Sequence, residues 1–221
     1  MAAEDESVKK QRTKASREMF GNERGFSLLE MSVVGAIMII ILAMAVLQIQ
    51  PSTQTAKADN ALREMVEQVR QAREYSIEKR RYIQITFSTV NSVATIQTIQ
   101  RNDLTVGGGA TNPVLSTITV QSPVTFVVFA ALGDTPDAYG NSNAILFGGT
   151  NGGPTGGMMF SSDGELVNGT IAVAGGPATP INGSVFLGIS GTQATARALT
   201  VMGTTGRVHG WRAGGTAWTQ F

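Results

Sequence analysis

The stretch Gly25-Phe26-Ser27-Leu28-Leu29-Glu30-Met31 decides the fold, because it opens a long apolar run. From Phe26 to Leu47 there are 22 residues, and Glu30 is the single charged one. An apolar run of about 18 residues or more predicts a helix that spans a membrane. A carboxylate inside such a helix is costly and usually has a functional partner. The segment therefore predicts a membrane-spanning helix that also recognises another group.

Glu30 has a second interpretation that involves only its own helix. The spacing Ser27-x-x-Glu30 is that of a capping box, in which the two side chains satisfy backbone amides at the start of a helix. The two interpretations are compatible, so the spacing leaves both open.

Residues 1–25 have the character of a cytoplasmic leader. They lack an apolar segment of their own and carry six Lys or Arg residues against five Asp or Glu residues. A secretory signal peptide would be cleaved after its apolar run, whereas Gln48-Ile49-Gln50-Pro51 is a weak site of that kind. Basic residues favour the cytoplasmic side, and the leader supplies Lys9, Lys10, Arg12, Lys14, Arg17 and Arg24. The bulk of the chain is then predicted to lie beyond the inner membrane.

Composition excludes several classes of protein. The 221 residues carry a net charge of +1, and residues 26–221 hold 11 basic and 11 acidic residues, so nothing favours nucleic acid overall. The chain has no cysteine, which excludes disulfides, thiol nucleophiles and cysteine-ligated metals. Its 26 glycines and 6% aromatic residues are typical of a domain rich in β-strands and loops.

Helical spacing continues beyond the apolar run. Pro51 is predicted to kink or locally break the helix. After it, apolar residues recur at steps of three and four, which predicts an amphipathic helix: Leu62, Met65, Val66, Val69, Ala72 and Ile77. We expect one helix over about 26–80, roughly 80 Å long if straight.

The period then changes to two, which predicts strands. Alternation over 82–88 and 93–99 predicts a β-hairpin, and Ser162-Asp163-Gly164 predicts a hairpin turn. Residues 101–116 and 133–157 are rich in Gly and Asn and predict loops, the second one long and mobile. Further strands are expected near 117–121, 124–130, 144–147, 157–161, 165–174, 184–190, 196–202 and 206–212.

Gly25, then Phe26, then an apolar run with Glu30 in its fifth place resembles the signal of type IV prepilins. That family comprises type IV pilins and the pseudopilins of type II secretion. The resemblance implies cleavage between Gly25 and Phe26 by a prepilin peptidase, N-methylation of Phe26, and filament assembly at an inner-membrane platform. It also implies that Glu30 pairs with the new α-amino group of Phe26, in its own or a neighbouring subunit.

Three shorter motifs resemble the GspH/FimT-type minor pilins and pseudopilins. They are a basic segment that ends the helix, an apolar-Phe-x-x-x-Gly turn and a Gly-Arg-Val close, found here at 71–81, 159–164 and 199–208. The Gly-rich loops depart from that pattern. The resemblance implies a long helix packed on an antiparallel β-sheet domain, an α+β fold.

A C-terminal cluster raises a DNA-binding alternative. In a strand over 206–212, Arg207, His209 and Trp211 would share a face and Arg212 would point the other way. Some members of the resembling subfamily bind DNA through arginines in this region, and an arginine beside an aromatic ring suits phosphate contact and base stacking. The alternative is an edge strand whose charges discourage edge-to-edge pairing.

Catalysis is not expected. His209 is the single histidine, so neither a His-rich metal site nor two-histidine acid–base chemistry is available. Asp163 and Glu165 flank a turn glycine and are most simply turn residues. No Gly-x-Ser-x-Gly elbow precedes a nucleophilic serine, and Gly107-Gly108-Gly109 lacks the Lys of a phosphate loop. We expect no metal and no cofactor.

The sequence thus predicts four segments and a structural function. They are a cleaved leader (1–25), a transmembrane and filament-core helix (26–50), an amphipathic helix (51–81) and a periplasmic or extracellular β-domain (82–221). We expect a minor structural subunit of a type II secretion pseudopilus or a type IV pilus, with membrane lipid and other subunits as partners. The alternatives are a DNA-binding subunit at a filament tip, a major pilin, or an unprocessed single-span protein.

Overall fold

In a computed structural model of the chain, two compact units are distinguished, Met1–Gln50 and Pro51–Phe221. Of the leader predicted over 1–25, all but Gly25 lies outside the described residues. The structure describes residues 25–91, 93–102, 112–147, 150–151, 157–168 and 179–221.

Helix α1 runs over Leu28–Lys79, a length of 52 residues. It begins where the Ser27 carbonyl accepts a hydrogen bond from the Met31 amide at 3.1 Å. It ends at Arg80, whose φ of 49° cannot continue a right-handed helix. The Arg81 amide then donates to the Ser76 carbonyl at 3.2 Å, which satisfies a carbonyl of the last turn. The predicted helix over about 26–80 is confirmed.

Pro51 does not end the helix. Proline lacks an amide hydrogen and so removes one backbone hydrogen bond, yet the helical residues continue on both sides of it. The Thr55 hydroxyl donates to the Pro51 carbonyl at 3.0 Å. The predicted local break is therefore wrong, because a single lost hydrogen bond does not unfold so long a helix, and the kink stays a prediction.

Antiparallel strands build the rest of the second unit. One sheet has the order β3-β2-β1-β7-β8, and the other has the order β12-β11-β10-β9-β5-β6 with β4 also paired to β9. The strands are β1 Tyr82–Val90, β2 Val93–Arg101, β3 Val114–Thr119, β4 Thr125–Phe126, β5 Ile145–Phe147, β6 Thr150–Asn151, β7 Met158–Phe160, β8 Leu166–Val167, β9 Gly183–Ile189, β10 Thr192–Val201, β11 Val208–Gly214 and β12 Ala217–Gln220. One long apolar helix and antiparallel sheets make this an α+β protein.

Both predicted hairpins are present. Strands β1 and β2 pair from Tyr82 with Arg101 to Val90 with Val93. Strands β7 and β8 pair across the Ser162-Asp163-Gly164 turn, where Gly164 has a φ of 81° and its amide donates to the Ser161 carbonyl at 3.0 Å. That positive φ explains why a glycine closes the turn.

Several strand boundaries differ from the prediction. Strand β5 confirms the strand predicted near 144–147, whereas β6 lies within the predicted loop over 133–157 and was not predicted, because a two-residue strand is too short to show alternation. The strand predicted over 124–130 is reduced to β4, and β12 was not predicted. Of the loop predicted over 101–116, residues 103–111 lie outside the described part, as do residues 169–178 of the strand predicted over 165–174.

The core of the second unit combines α1 with both sheets. One stripe of the helix is buried with strand residues such as Ile85 and Leu199. The Phe87 ring stacks on Phe147 at 6.0 Å and meets the edge of Phe126 at 5.7 Å. Most of the predicted stripe is confirmed, although Ile77, its last member, is 43% exposed near the helix end. The buried helix residues of this core are Ala58, Ala61, Leu62, Met65, Val69 and Ala72.

Candidate functional site

The start of α1 is apolar on every face and covered on none. An 18-residue window in α1 near the N-terminus has a mean hydropathy of 2.6, and no part of it is buried. Phe26 is 76% exposed and Leu42 is 64% exposed. A helix that is apolar all round belongs in lipid or inside a protein core. The described residues thus contain one helix long and apolar enough to cross a membrane.

Glu30 lies in the first turn of this exposed helix. The Ser27 carbonyl accepts the first helical hydrogen bond, but neither the Ser27 hydroxyl nor the Glu30 carboxylate forms the reciprocal bonds of a capping box within the described structure. The capping-box interpretation is therefore wrong for this structure. Glu30 has no hydrogen-bond or ion-pair partner among the described residues.

Gly25 and Phe26 precede the helix and are open to contact from outside the chain. Both residues are exposed, and a Cβ added to Gly25 would meet no atom within 4 Å. The peptide bond between them is therefore not hidden by any described part of the protein.

A second feature is a pocket of about 430 Å³ in the unit Pro51–Phe221. Three arginines reach it from two places in the chain, Arg70 and Arg73 from α1 and Arg207 from the turn before β11. Glu74 supplies a carboxylate and His209 an imidazole. With neutral histidine the side chains sum to three positive charges and one negative, a net charge of +2. We call this the basic pocket.

Arg73 is held in the basic pocket by two glycines. Its Nε donates to the Gly164 carbonyl at 3.2 Å. Gly206 has a φ of 63°, and a Cβ there would lie 2.2 Å from the Gly164 oxygen and 2.6 Å from Arg73 Nε. Only glycine fits this place, so the turn that presents Arg207 can pass directly over the Arg73 side chain.

His209 is held by a partly buried polar network. Its Nδ1 lies 3.0 Å from Asp137 Oδ2, which also accepts a hydrogen bond from the Thr200 hydroxyl. Trp211 Nε1 donates to the Thr200 hydroxyl at 2.8 Å, and the His209 and Trp211 rings meet edge to face at 5.9 Å. Nearby, burial raises the pKa of the Tyr139 phenol, and the negative charge of Asp137 is the second and smaller cause.

The network does not have the order of a catalytic relay. The Thr200 hydroxyl donates to the carboxylate of Asp137 and not to the imidazole of His209. A nucleophile activated by histidine needs its hydroxyl within reach of that imidazole. The network instead attaches the segment before β5 to strands β10 and β11.

The structure brings two of the three predicted DNA-binding residues together. Arg207 and His209 line the basic pocket, whereas Arg212 does not and is exposed elsewhere on β11. Strand β11 pairs with both β10 and β12. The edge-strand alternative is therefore wrong, because β12 covers the side of β11 that would have been free.

The sequence reasoning missed a buried ion pair. Arg197 is fully buried on β10, and its Nε lies 2.6 Å from the Asp59 carboxylate on α1. Its Nη1 donates to the Ala194 and Ala196 carbonyls at 2.9 Å and 2.8 Å. The two residues are 138 positions apart, so no local pattern could have linked them.

Comparison with known proteins gave no match to this chain, whether with family models, with curated proteins or with solved structures.

Proposed function

We propose that this chain is a minor structural subunit of a type II secretion pseudopilus or a type IV pilus. A prepilin peptidase would cleave it between Gly25 and Phe26, and it would be assembled from the inner membrane through α1. The observation that carries the proposal is Glu30, a carboxylate without a partner among the described residues, at the start of the apolar and exposed first half of α1.

The apolar faces of the first half of α1 need a cover that the described part of the chain does not provide. Lipid provides one, and the equivalent helices of other subunits provide another. Because lipid tails are as apolar as leucine, moving the helix from lipid into a filament gains little from the hydrophobic effect. Packing and the pairing of polar groups must therefore favour assembly.

Cleavage would create the partner that Glu30 lacks. In the uncleaved chain the Phe26 nitrogen is part of a peptide bond and carries no charge. After cleavage it is an α-amino group, with an ordinary pKa of about 8, and methylation leaves its positive charge in place. A carboxylate and an ammonium group attract strongly in an apolar setting, so the pair would fix one subunit in register with the next. The proposed role is assembly, not catalysis.

The test is a Glu30→Val variant produced in a strain that lacks the native chain. We expect cleavage at Gly25 to proceed normally, as seen by the size of the product on a blot. We expect its amount in sheared filaments to fall at least about tenfold, since a loss of only 1.4 kcal/mol has that effect. Glu64→Val is the matched control, because Glu64 is an exposed carboxylate on the other half of α1. Filaments that contain Glu30→Val at the native level would contradict the proposal.

The secretome of the deletion strain would distinguish the two machines. Exported enzymes that accumulate in the periplasm would assign the subunit to a type II secretion pseudopilus. An unchanged secretome would favour a type IV pilus, and adhesion, motility and DNA uptake would then be assayed.

A further inference from the structure

We propose that the basic pocket is a binding site for a phosphate group that carries two negative charges, such as inorganic phosphate or a phosphomonoester. The site lies wholly within the unit Pro51–Phe221 and does not depend on the proposed role of α1 in a filament. Its donors would be Arg70, Arg73 and Arg207, with His209 beside them.

The first reason is unpaired charge. Within the described residues the ion pairs are Arg197 with Asp59 and His209 with Asp137. Among these residues, none of the three pocket arginines lies within 4.0 Å of a carboxylate oxygen, although Glu74 also lines the pocket. Like charges that converge without a counter-charge repel one another, and an anion in the pocket would remove that repulsion.

The second reason is that the donors are fixed before a ligand arrives. Arg73 uses Nε to hold the Gly164 carbonyl, which leaves the two terminal nitrogens of its guanidinium for an anion. Asp137 holds the His209 ring through Nδ1. In the neutral ring that donates to Asp137 the proton lies on Nδ1, so Nε2 is an acceptor and the donors for an anion are the arginines. Donors that are already in place bind a ligand at a smaller cost in conformational entropy.

The third reason is the match in charge and shape. All three cations are arginines, whose planar fork matches the oxygens of a phosphate group. The net charge of +2 on the pocket side chains is opposite in sign and close in magnitude to the charge of about −1.5 to −2 that a phosphomonoester carries at neutral pH. A single carboxylate or one phosphodiester group would supply half of that charge.

The experiment is calorimetric titration of the full chain in a nonionic detergent with sodium phosphate at constant ionic strength. We expect saturable binding with a Kd of about 1 mM or tighter. We expect Arg70→Gln/Arg207→Gln to weaken binding at least tenfold, and Glu74→Gln to tighten it severalfold because a repelling carboxylate is removed. Both arginines are exposed, so the double variant should fold.

The matched control is Arg80→Gln/Arg212→Gln, which removes the same charge from exposed arginines outside the pocket. We expect its Kd for phosphate to stay within twofold of that of the native chain. A parallel titration with glycerol phosphate identifies the source of the group: tighter binding than that of inorganic phosphate points to an organic monoester, and equal or weaker binding points to the free ion.

Three results would overturn the proposal. One is the absence of saturable phosphate binding. Another is an equal loss of binding in the pocket variant and the control variant, which would mean that only overall charge matters. The last is a single-stranded oligonucleotide that binds and is not displaced by inorganic phosphate, which would make this surface a nucleic-acid interface.

Discussion

Two carboxylates on α1 have opposite surroundings. Asp59 lies 2.6 Å from the Nε of Arg197, a residue that is fully buried. Glu30 is exposed and has no partner among the described residues. The apolar residues around them differ in the same way, since Leu62 is completely buried whereas Leu42 is 64% exposed. The described residues therefore cover one half of the helix and leave the apolar residues of the other half exposed.

The contrast follows from the apolar pattern of each half. Over Pro51–Lys79 the apolar residues form one stripe, which a sheet can cover while the charged faces stay in water. Over Leu28–Gln50 apolar residues occupy every face, so no single sheet could bury them. The two halves of α1 thus need different surroundings, and substitutions in them should have different effects on the free energy of unfolding.

The largest effect on stability is expected from Asp59→Ala. This change leaves the buried guanidinium of Arg197 without its counter-charge, which costs about 3–5 kcal/mol when one partner of a buried pair is removed. We expect the lower end, because the Ala194 and Ala196 carbonyls still accept from Arg197. Chemical denaturation of the full chain in detergent, followed by fluorescence of Trp211 and Trp218, measures the free energy of unfolding.

The control for this change is the double variant Asp59→Ala/Arg197→Met. It removes both charges and should recover most of the lost stability, since an apolar side chain can replace a buried ion pair. A loss below about 1 kcal/mol for Asp59→Ala would mean that the pair does not anchor this half of the helix.

A somewhat smaller effect is expected from Leu62→Ala. Truncating a fully buried leucine costs about 2–5 kcal/mol through lost burial and the cavity that remains. The same substitution at the exposed Leu42 should change the free energy of unfolding by no more than about 0.5 kcal/mol. Both variants are measured by the denaturation experiment described above. Equal losses at the two positions would contradict the contrast between the two halves.

The smallest effect concerns the polar network of the second unit. Burial and Asp137 raise the pKa of the Tyr139 phenol in the folded chain. The folded state therefore keeps this proton at a pH where the unfolded chain has lost it. The ionisation of Tyr139 therefore leaves the free energy of unfolding unchanged below about pH 10, the ordinary pKa of tyrosine. It lowers the free energy of unfolding as the pH rises from there to the pKa of the folded chain.

Alkaline titration at 295 nm tests this prediction. The spectrum of the native chain minus that of Tyr139→Phe isolates the phenol, which should ionise above its ordinary range. In Asp137→Asn the midpoint should move down but not return fully, because burial is the larger cause. A midpoint at or below about 10 in the native chain would refute the assignment.

Local patterns predicted the elements that local chemistry determines. The apolar run and the three- and four-residue spacing predicted α1, alternation predicted the β1–β2 hairpin, and Ser162-Asp163-Gly164 predicted the turn of the β7–β8 hairpin. Strands β6 and β12, which were not predicted, have two and four residues, too few for alternation to be distinguished from a loop.

The parts that sequence could not predict depend on residues far apart in the chain. Arg197 sits among small and apolar residues in a strand, and only the fold shows that it meets Asp59. The basic pocket likewise needs Arg70 and Arg73 beside Arg207, a meeting made by the Gly206 turn. His209 was identified as notable, but its attachment to Asp137 arises from the segment that had been predicted as a mobile loop.

The measurement to make first is the mass of the N-terminal peptide of this protein, purified from the membranes of its native cell. If α1 begins a processed filament subunit, the peptide will start at Phe26 and carry one methyl group on its nitrogen, and residues 1–25 will be missing. A protein that retains residues 1–25, or that is cleaved after Leu47 instead, would contradict the proposal. In either case Glu30 would not gain the α-amino partner on which the assembly depends.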